Sequence, residues 1–166
     1  SQHGNTPVVY PFTYIAPSNT GVPSLMDLNN DSVNTGPEDA YGYGRFPGQY
    51  AFAVLSQFPF DTSAIRTFQY FLWKDMPGAA YPVDPETGDG YYQQEVWEKL
   101  RLSSKNHIDL PVQLPGGIVH MLVAHPTPPA FDGPEDRNGR RNYDEIRFLA
   151  DYITAGMQSA YIYDDD

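Results

Sequence analysis

The sequence predicts an α/β (α+β) domain, and three observations carry that prediction. An apolar run rich in β-branched residues, Ile118 to Ala124, follows the turn pair Gly116-Gly117 and reads as a buried strand. Downstream, Ile146, Leu149, Ala150 and Ile153 recur at helical spacing until Gly156 closes the helix. Two further stretches, Val8 to Ile15 and Tyr50 to Ser56, are aromatic and β-branched in the manner of strands.

Composition narrows the function. A chain of 166 residues with 40% hydrophobic content has enough material for one domain with its own core. The formal net charge of −11 argues against nonspecific nucleic-acid binding, because a polyphosphate backbone calls for a basic footprint. Cysteine is absent, so any metal must be held by oxygen and imidazole, and no thiol can act as nucleophile. No apolar stretch approaches the roughly 20 residues that a bilayer span needs, so no membrane partner is expected. The abundance of proline, glycine and tyrosine predicts many turns and long, well-packed loops.

In chain order, Pro11 breaks the Val8 to Ile15 segment and predicts an edge or bulged strand, with Tyr50 to Ser56 as its buried neighbour. Between them, Asp27, Asn29, Asp31 and Glu38 stand at relative positions 1, 3, 5 and 12 of a loop, with the Val33 carbonyl at position 7. That is the ligand spacing of an EF-hand-like calcium loop. Ser32 replaces the usual glycine, and the flanks hold no helices; the alternative is an Asx-rich turn. Asn30-Asp31-Ser32 is also a glycosylation sequon.

The stretch Ile65 to Trp73 predicts a strand ending in a covering loop, its aromatics belonging to the core. Tyr91 to Leu100 predicts a short helix with Val96, Trp97 and Leu100 on one face. Arg101 to Val112 predicts a strand whose alternation puts Lys105, His107 and Asp109 on one side, either facing water or lining a site.

Pro126 forces His125 into extended geometry at the carboxyl end of the 118–124 strand, the edge where ligands bind in an α/β sheet. Between this histidine and the last helix lies a loop dense in both charge signs, with Asp132, Glu135, Asp136, Arg137, Arg140 and Arg141. Asn142 followed by Glu145 has capping-box spacing, which puts the helix start at Asn142 and Arg141 just before a positive helix end. A histidine beside arginines can act on, or neutralise, phosphate oxygens; a surface loop laced by ion pairs is the other account.

These residues carry a resemblance. His125-Pro126-Thr127-Pro128-Pro129, Phe131-Asp132-Gly133, Glu135-Asp136-Arg137-Asn138-Gly139, Arg141-Asn142 and Asp144-Glu145-Ile146-Arg147 resemble a secreted bacterial, phytase-like branch of the endonuclease/exonuclease/phosphatase family. So do Ala16 to Gly21, Gly48 to Ser56 and Leu102 to His107. The resemblance implies a DNase I-like four-layer β-sandwich with mixed sheets and outer helices, and hydrolysis of phosphoesters with a divalent metal, Mg or Mn. It carries His125 over as the catalytic residue and implies a secreted, extracellular or periplasmic protein. The glutamate that meets this histidine in the wider family is matched here by Gln49. The family's opening strands and closing Gly-Asp-x-Asn and Ser-Asp-His elements have no counterpart in the sequence, so residues 1–166 are expected to form a single partial domain.

Two function classes follow. One is a metal-dependent phosphoesterase acting on a phosphorylated small molecule or other phosphoester, with Lys105, His107, Arg137, Arg141 and Asn142 binding substrate beside His125, as part of a longer protein. The other is a catalytically incomplete module of the same fold, rigidified by calcium on Asp27, Asn29, Asp31, Val33 and Glu38. In either case the expected partner is the remainder of the domain or a neighbouring copy.

Overall fold

A computed structural model describes residue 4, residues 7–154 and residues 156–166. In chain order the elements are β1 (Phe12–Tyr14), β2 (Val54–Ser56), β3 (Arg66–Thr67), α1 (Gln94–Trp97), β4 (His107–Leu114), β5 (Gly117–Ala124) and α2 (Arg137–Thr154), with single 3-10 turns at Trp73–Asp75 and Gly156–Ser159. β1 pairs with β2, and β3, β4 and β5 form a second sheet in that order.

β4 is the axis of the molecule because both of its faces are covered. Ile108, Leu110 and Val112 point to one side, where the first two pack with Ala16, Val54, Phe52 and Phe60. His107 and Asp109 point to the other, where the His107 ring lies 5.2 Å from Phe148 of α2 and Asp109 accepts the Tyr152 hydroxyl at 2.6 Å. The segment therefore buries six consecutive residues, a pattern that period-2 reading cannot assign to one face. Pro111 fits inside this strand because its nitrogen faces the side where β3 has already ended, and its carbonyl there accepts the Asp61 amide at 2.9 Å. The larger core gathers Phe68, Phe71, Trp73, Met76, Leu100, Leu102 and Phe148, so the aromatics of the 65–73 stretch do belong to the interior.

Several expectations are corrected. β5 is not buried: Ile118, Val119 and Met121 are 55%, 51% and 44% exposed, because among the described residues β5 pairs with β4 alone and forms the sheet edge. The second strand is short, since Tyr50 takes a positive φ of 64° and regular pairing begins only at Val54. All the named strand pairs are antiparallel, not mixed, and the parallel relation is confined to the isolated bridge Thr20↔Gly42. The carboxyl-edge rule for parallel sheets is therefore not what places His125. α2 starts at Arg137, five residues before Asn142. The Asp132 carboxylate accepts the Asn138 amide at 2.7 Å and supplies the cap from upstream, so Asn142 lies within the helix.

The acidic terminus is docked. Asp165 accepts the amides of Gln69 and Tyr70 and the Thr67 hydroxyl, while Asp164 pairs with Arg66 at 2.5 Å. Arg66 continues through Tyr152 and Asp109 to His120, tying β3, β4, β5 and α2 together. Among the described residues no helix is long and apolar enough to cross a membrane.

Candidate functional site

Apart from Ile108, the segment Ser103 to Asp109 is polar in sequence, yet it is buried throughout. Buried polar groups require partners, and here a carboxylate from α2 supplies many of them. Glu145, fully buried, accepts the Ser104 amide at 2.8 Å and the Ser104 hydroxyl at 3.2 Å on one oxygen, and the Thr127 amide at 2.5 Å on the other. Its backbone carbonyl accepts Nε2 of His107 at 2.9 Å. Asn142, one turn earlier, donates to the Thr127 carbonyl at 2.7 Å. The turn that follows β5 is thus fastened on both sides of Thr127 to α2, and through Glu145 to the segment entering β4.

His125 stands exposed just past the end of β5. Lys105 is buried beside it, its Nζ donating to Ser104 Oγ at 3.2 Å and to the Pro126 carbonyl at 3.4 Å. Burial pushes the Lys105 ammonium below its ordinary pKa, an effect that Glu145 opposes and Arg141 reinforces. Although the residue as a whole is exposed, partial desolvation of its ring by the surrounding turn and then the Lys105 charge lower the His125 imidazole, against a hydrogen bond with the Tyr50 backbone and the attraction of Glu145. A histidine held below its usual range is neutral at pH 7, able to accept a proton or to donate one hydrogen bond to a phosphoryl oxygen. The Thr127 hydroxyl is buried with no partner among the described residues, so this cluster keeps one free polar atom.

The other residues expected to bind substrate are spread through the structure. His107 is 1% exposed, donates to α2 and cannot touch a ligand from solvent. Arg141 is buried and donates to the carbonyls of Leu102 at 2.8 Å, Tyr41 at 2.7 Å and Arg101 at 2.8 Å. Because the helix begins four residues earlier, no helix end lies beside it to receive an anion. Arg137 is paired with Glu135 and lies over the Tyr91 ring at 5.2 Å. Asn142 is spent on Thr127. Gln49 accepts the Arg45 amide at 2.6 Å, and it is the Tyr50 backbone that meets His125.

At 27–38 the oxygens turn toward their own loop. Asp27 accepts the amides of Asp31 and Ser32, Asn29 also accepts that of Asp31, and Asp31 accepts that of Val33. This is the geometry of an Asx-laced turn. The loop is anchored by buried Asp39, which takes the Leu28 amide at 3.0 Å, and the Asn30 amide donates to the Tyr91 carbonyl at 2.9 Å. Sequence reasoning missed Asp39 and treated Glu145 only as half of a cap. A signal existed: Arg141, Glu145, Phe148 and Tyr152 share one helical face, so a charge on the apolar stripe was visible.

Residues 4–157 match the sequence profile of the Endonuclease/Exonuclease/phosphatase family. The chain belongs to that family. Its mixture of helix with antiparallel sheets is consistent with the family's DNase I-like fold, and the described residues form no closed barrel. A search of curated proteins and a search of solved structures each found no match. Members of the Endonuclease/Exonuclease/phosphatase family hydrolyse phosphoesters, usually with divalent metals. Among the described residues no group of three or more histidine, aspartate or glutamate side chains is placed to hold a metal ion, at 27–38 or beside His125. The residues present do not by themselves fit such a metal.

Proposed function

We propose that this chain supplies the histidine side of a phosphoester-hydrolysing site within a longer, extracellular protein. The observation that supports it is the pairing, in a chain of this family, of an exposed neutral His125 with buried Lys105 behind the same turn. His125 would donate to, or take a proton at, the reacting phosphoryl group, while Lys105 adds positive potential and holds the Pro126 carbonyl in place. Replacing His125 by alanine in the whole protein should lower turnover of 4-nitrophenyl phosphate or bis(4-nitrophenyl) phosphate by about 100-fold or more. The melting temperature should stay unchanged, since the imidazole is exposed. Unchanged turnover would overturn the assignment.

A second reading, a module with the fold but without the chemistry, is favoured by the lack of an assembled metal-ligand group among the described residues. Assay of the wild-type protein with Mg²⁺ or Mn²⁺ separates the two. Hydrolysis that disappears with His125→Ala supports the first; no hydrolysis of either ester supports the second.

A further inference from the structure

A groove of about 730 Å³ runs between residues 15–18, residues 47–53 and the Gln69-Tyr70 pair. Apolar residues make up much of its lining, among them Ile15, Ala16, Pro17, Val22, Ala51 and Phe52. One cation lines it, Arg101. In a chain of net charge −11, that arginine has no carboxylate within 4.0 Å among the described residues. Three other partly buried arginines, Arg66, Arg137 and Arg147, pair with acids, and Arg141 is enclosed by carbonyls; Arg140, away from this groove, also lacks an acid and reaches only the Tyr81 carbonyl at 3.4 Å.

The Arg101 guanidinium is also fixed in place. It lies 3.9 Å from the centre of the Tyr41 ring and 4.6 Å from that of Tyr70, and donates to Asn19 Oδ1 at 2.6 Å. Asn19 is fully buried, and its amide nitrogen is committed to the carbonyls of Gln69 and Ser103, so its oxygen cannot turn away. The Arg101 backbone is held by the bridge to Leu72 and by Arg141, which bonds its carbonyl. A planar cation held against two rings and hydrogen-bonded to a fixed amide has already lost rotational freedom, and its remaining donors suit a phosphate. The groove also adjoins the His125 site: Gly48 and Ala51 flank Tyr50, whose backbone meets His125, and the Asn19 amide bonds the Lys105 carbonyl at 2.8 Å.

We infer that Arg101 and this groove form a subsite for an organic phosphate, with the anionic group on the guanidinium and the apolar body along the wall of residues 15–17 and 51–53. Assigning that ligand to the substrate of the His125 site rests on the function proposed above; the binding itself does not.

The test is calorimetric titration of the protein with phenyl phosphate, with phenol as the uncharged control. Wild type should bind phenyl phosphate and not phenol, and Arg101→Gln should weaken binding about 10-fold or more. Arg101→Lys should also weaken it, because lysine keeps the charge but loses the stacked fork. Tyr70→Leu, at a residue 52% exposed and so safe for folding, should weaken it about threefold. His125→Ala should retain binding that depends on Arg101, so that adding Arg101→Gln to it abolishes that binding. Equal affinity in wild type, Arg101→Gln and Tyr70→Leu overturns the subsite, as does absence of binding in the wild type or a loss confined to His125→Ala. If His125→Ala keeps full turnover while Arg101→Gln loses binding, the subsite stands and the proposed reaction centre falls.

Discussion

The loop at 27–38 and the cluster around Glu145 use the same chemistry, carboxylates accepting backbone amides, with opposite reach. Asp27, Asn29 and Asp31 bond amides two to five residues away, at the surface. Glu145 bonds amides 18 and 41 residues away, in the interior. Water can replace the partners of the first set, and nothing can replace those of the second. An oxygen's contribution is thus set by what would solvate its partners if it were removed, and both the fold and the candidate site depend on the long-range set.

The contrast is open to experiment. The largest effect should come from Glu145→Ala, which leaves two amides and a hydroxyl buried without an acceptor; at about 1–3 kcal/mol each, a loss of at least ~3 kcal/mol is expected in urea denaturation. A loss under ~1 kcal/mol would erase the difference between the two regions. Arg141→Ala uncovers three carbonyls and, at about 1 kcal/mol each, should cost about 3 kcal/mol while leaving turnover per folded molecule unchanged. Lost turnover without lost stability would instead make Arg141 a substrate-binding residue.

A smaller effect concerns pH. Burial holds the His107 imidazole below its ordinary value of 6.5, with Glu145 opposing, so the unfolded chain binds this proton more readily than the folded one. The stability that follows is fully present above pH 6.5 and is lost as pH falls through the lowered folded value. Urea midpoints measured from about pH 8 down to about pH 5 should decline, and His107→Gln should flatten part of that decline. The smallest expected change is a gain. Ser32 holds a positive φ of 69° in the exposed loop, a region that costs a residue with a Cβ roughly 1–2 kcal/mol, so Ser32→Gly should raise stability by about 0.5–1 kcal/mol.

The legible parts of the sequence were the local ones. Apolar runs, turn glycines and helical spacing located β4, β5, α1 and α2, and Pro126 marked where β5 stops. The short oxygen spacing of 27–38 left a calcium loop and an Asx-rich turn both open, and the hydrogen bonds formed are those of the turn. What stayed hidden depended on distant partners. His107 and Lys105 share a sequence pattern but not a fate: one lies tilted against the Phe148 ring, the other sits against the Pro126 carbonyl. The start of α2 was misplaced because its cap comes from Asp132, six residues before the amide it accepts, outside the window in which capping boxes are sought. β5 looked buried because apolarity reports what a strand could cover, not whether another element covers it.

That uncovered strand has a consequence for how molecules of this protein behave toward one another. β5 presents Ile118, Val119 and Met121 to solvent along a sheet edge that pairs only with β4 among the described strands, the arrangement through which chains add to each other's sheets. What opposes such contact is long-range repulsion between copies that each carry a formal net charge of −11. Charge acts only over the Debye length, about 10 Å at 0.1 M salt and about 3 Å at 1 M. Colloidal stability should therefore belong to dilute electrolyte, with light scattering rising as salt is added while the fold itself is unchanged.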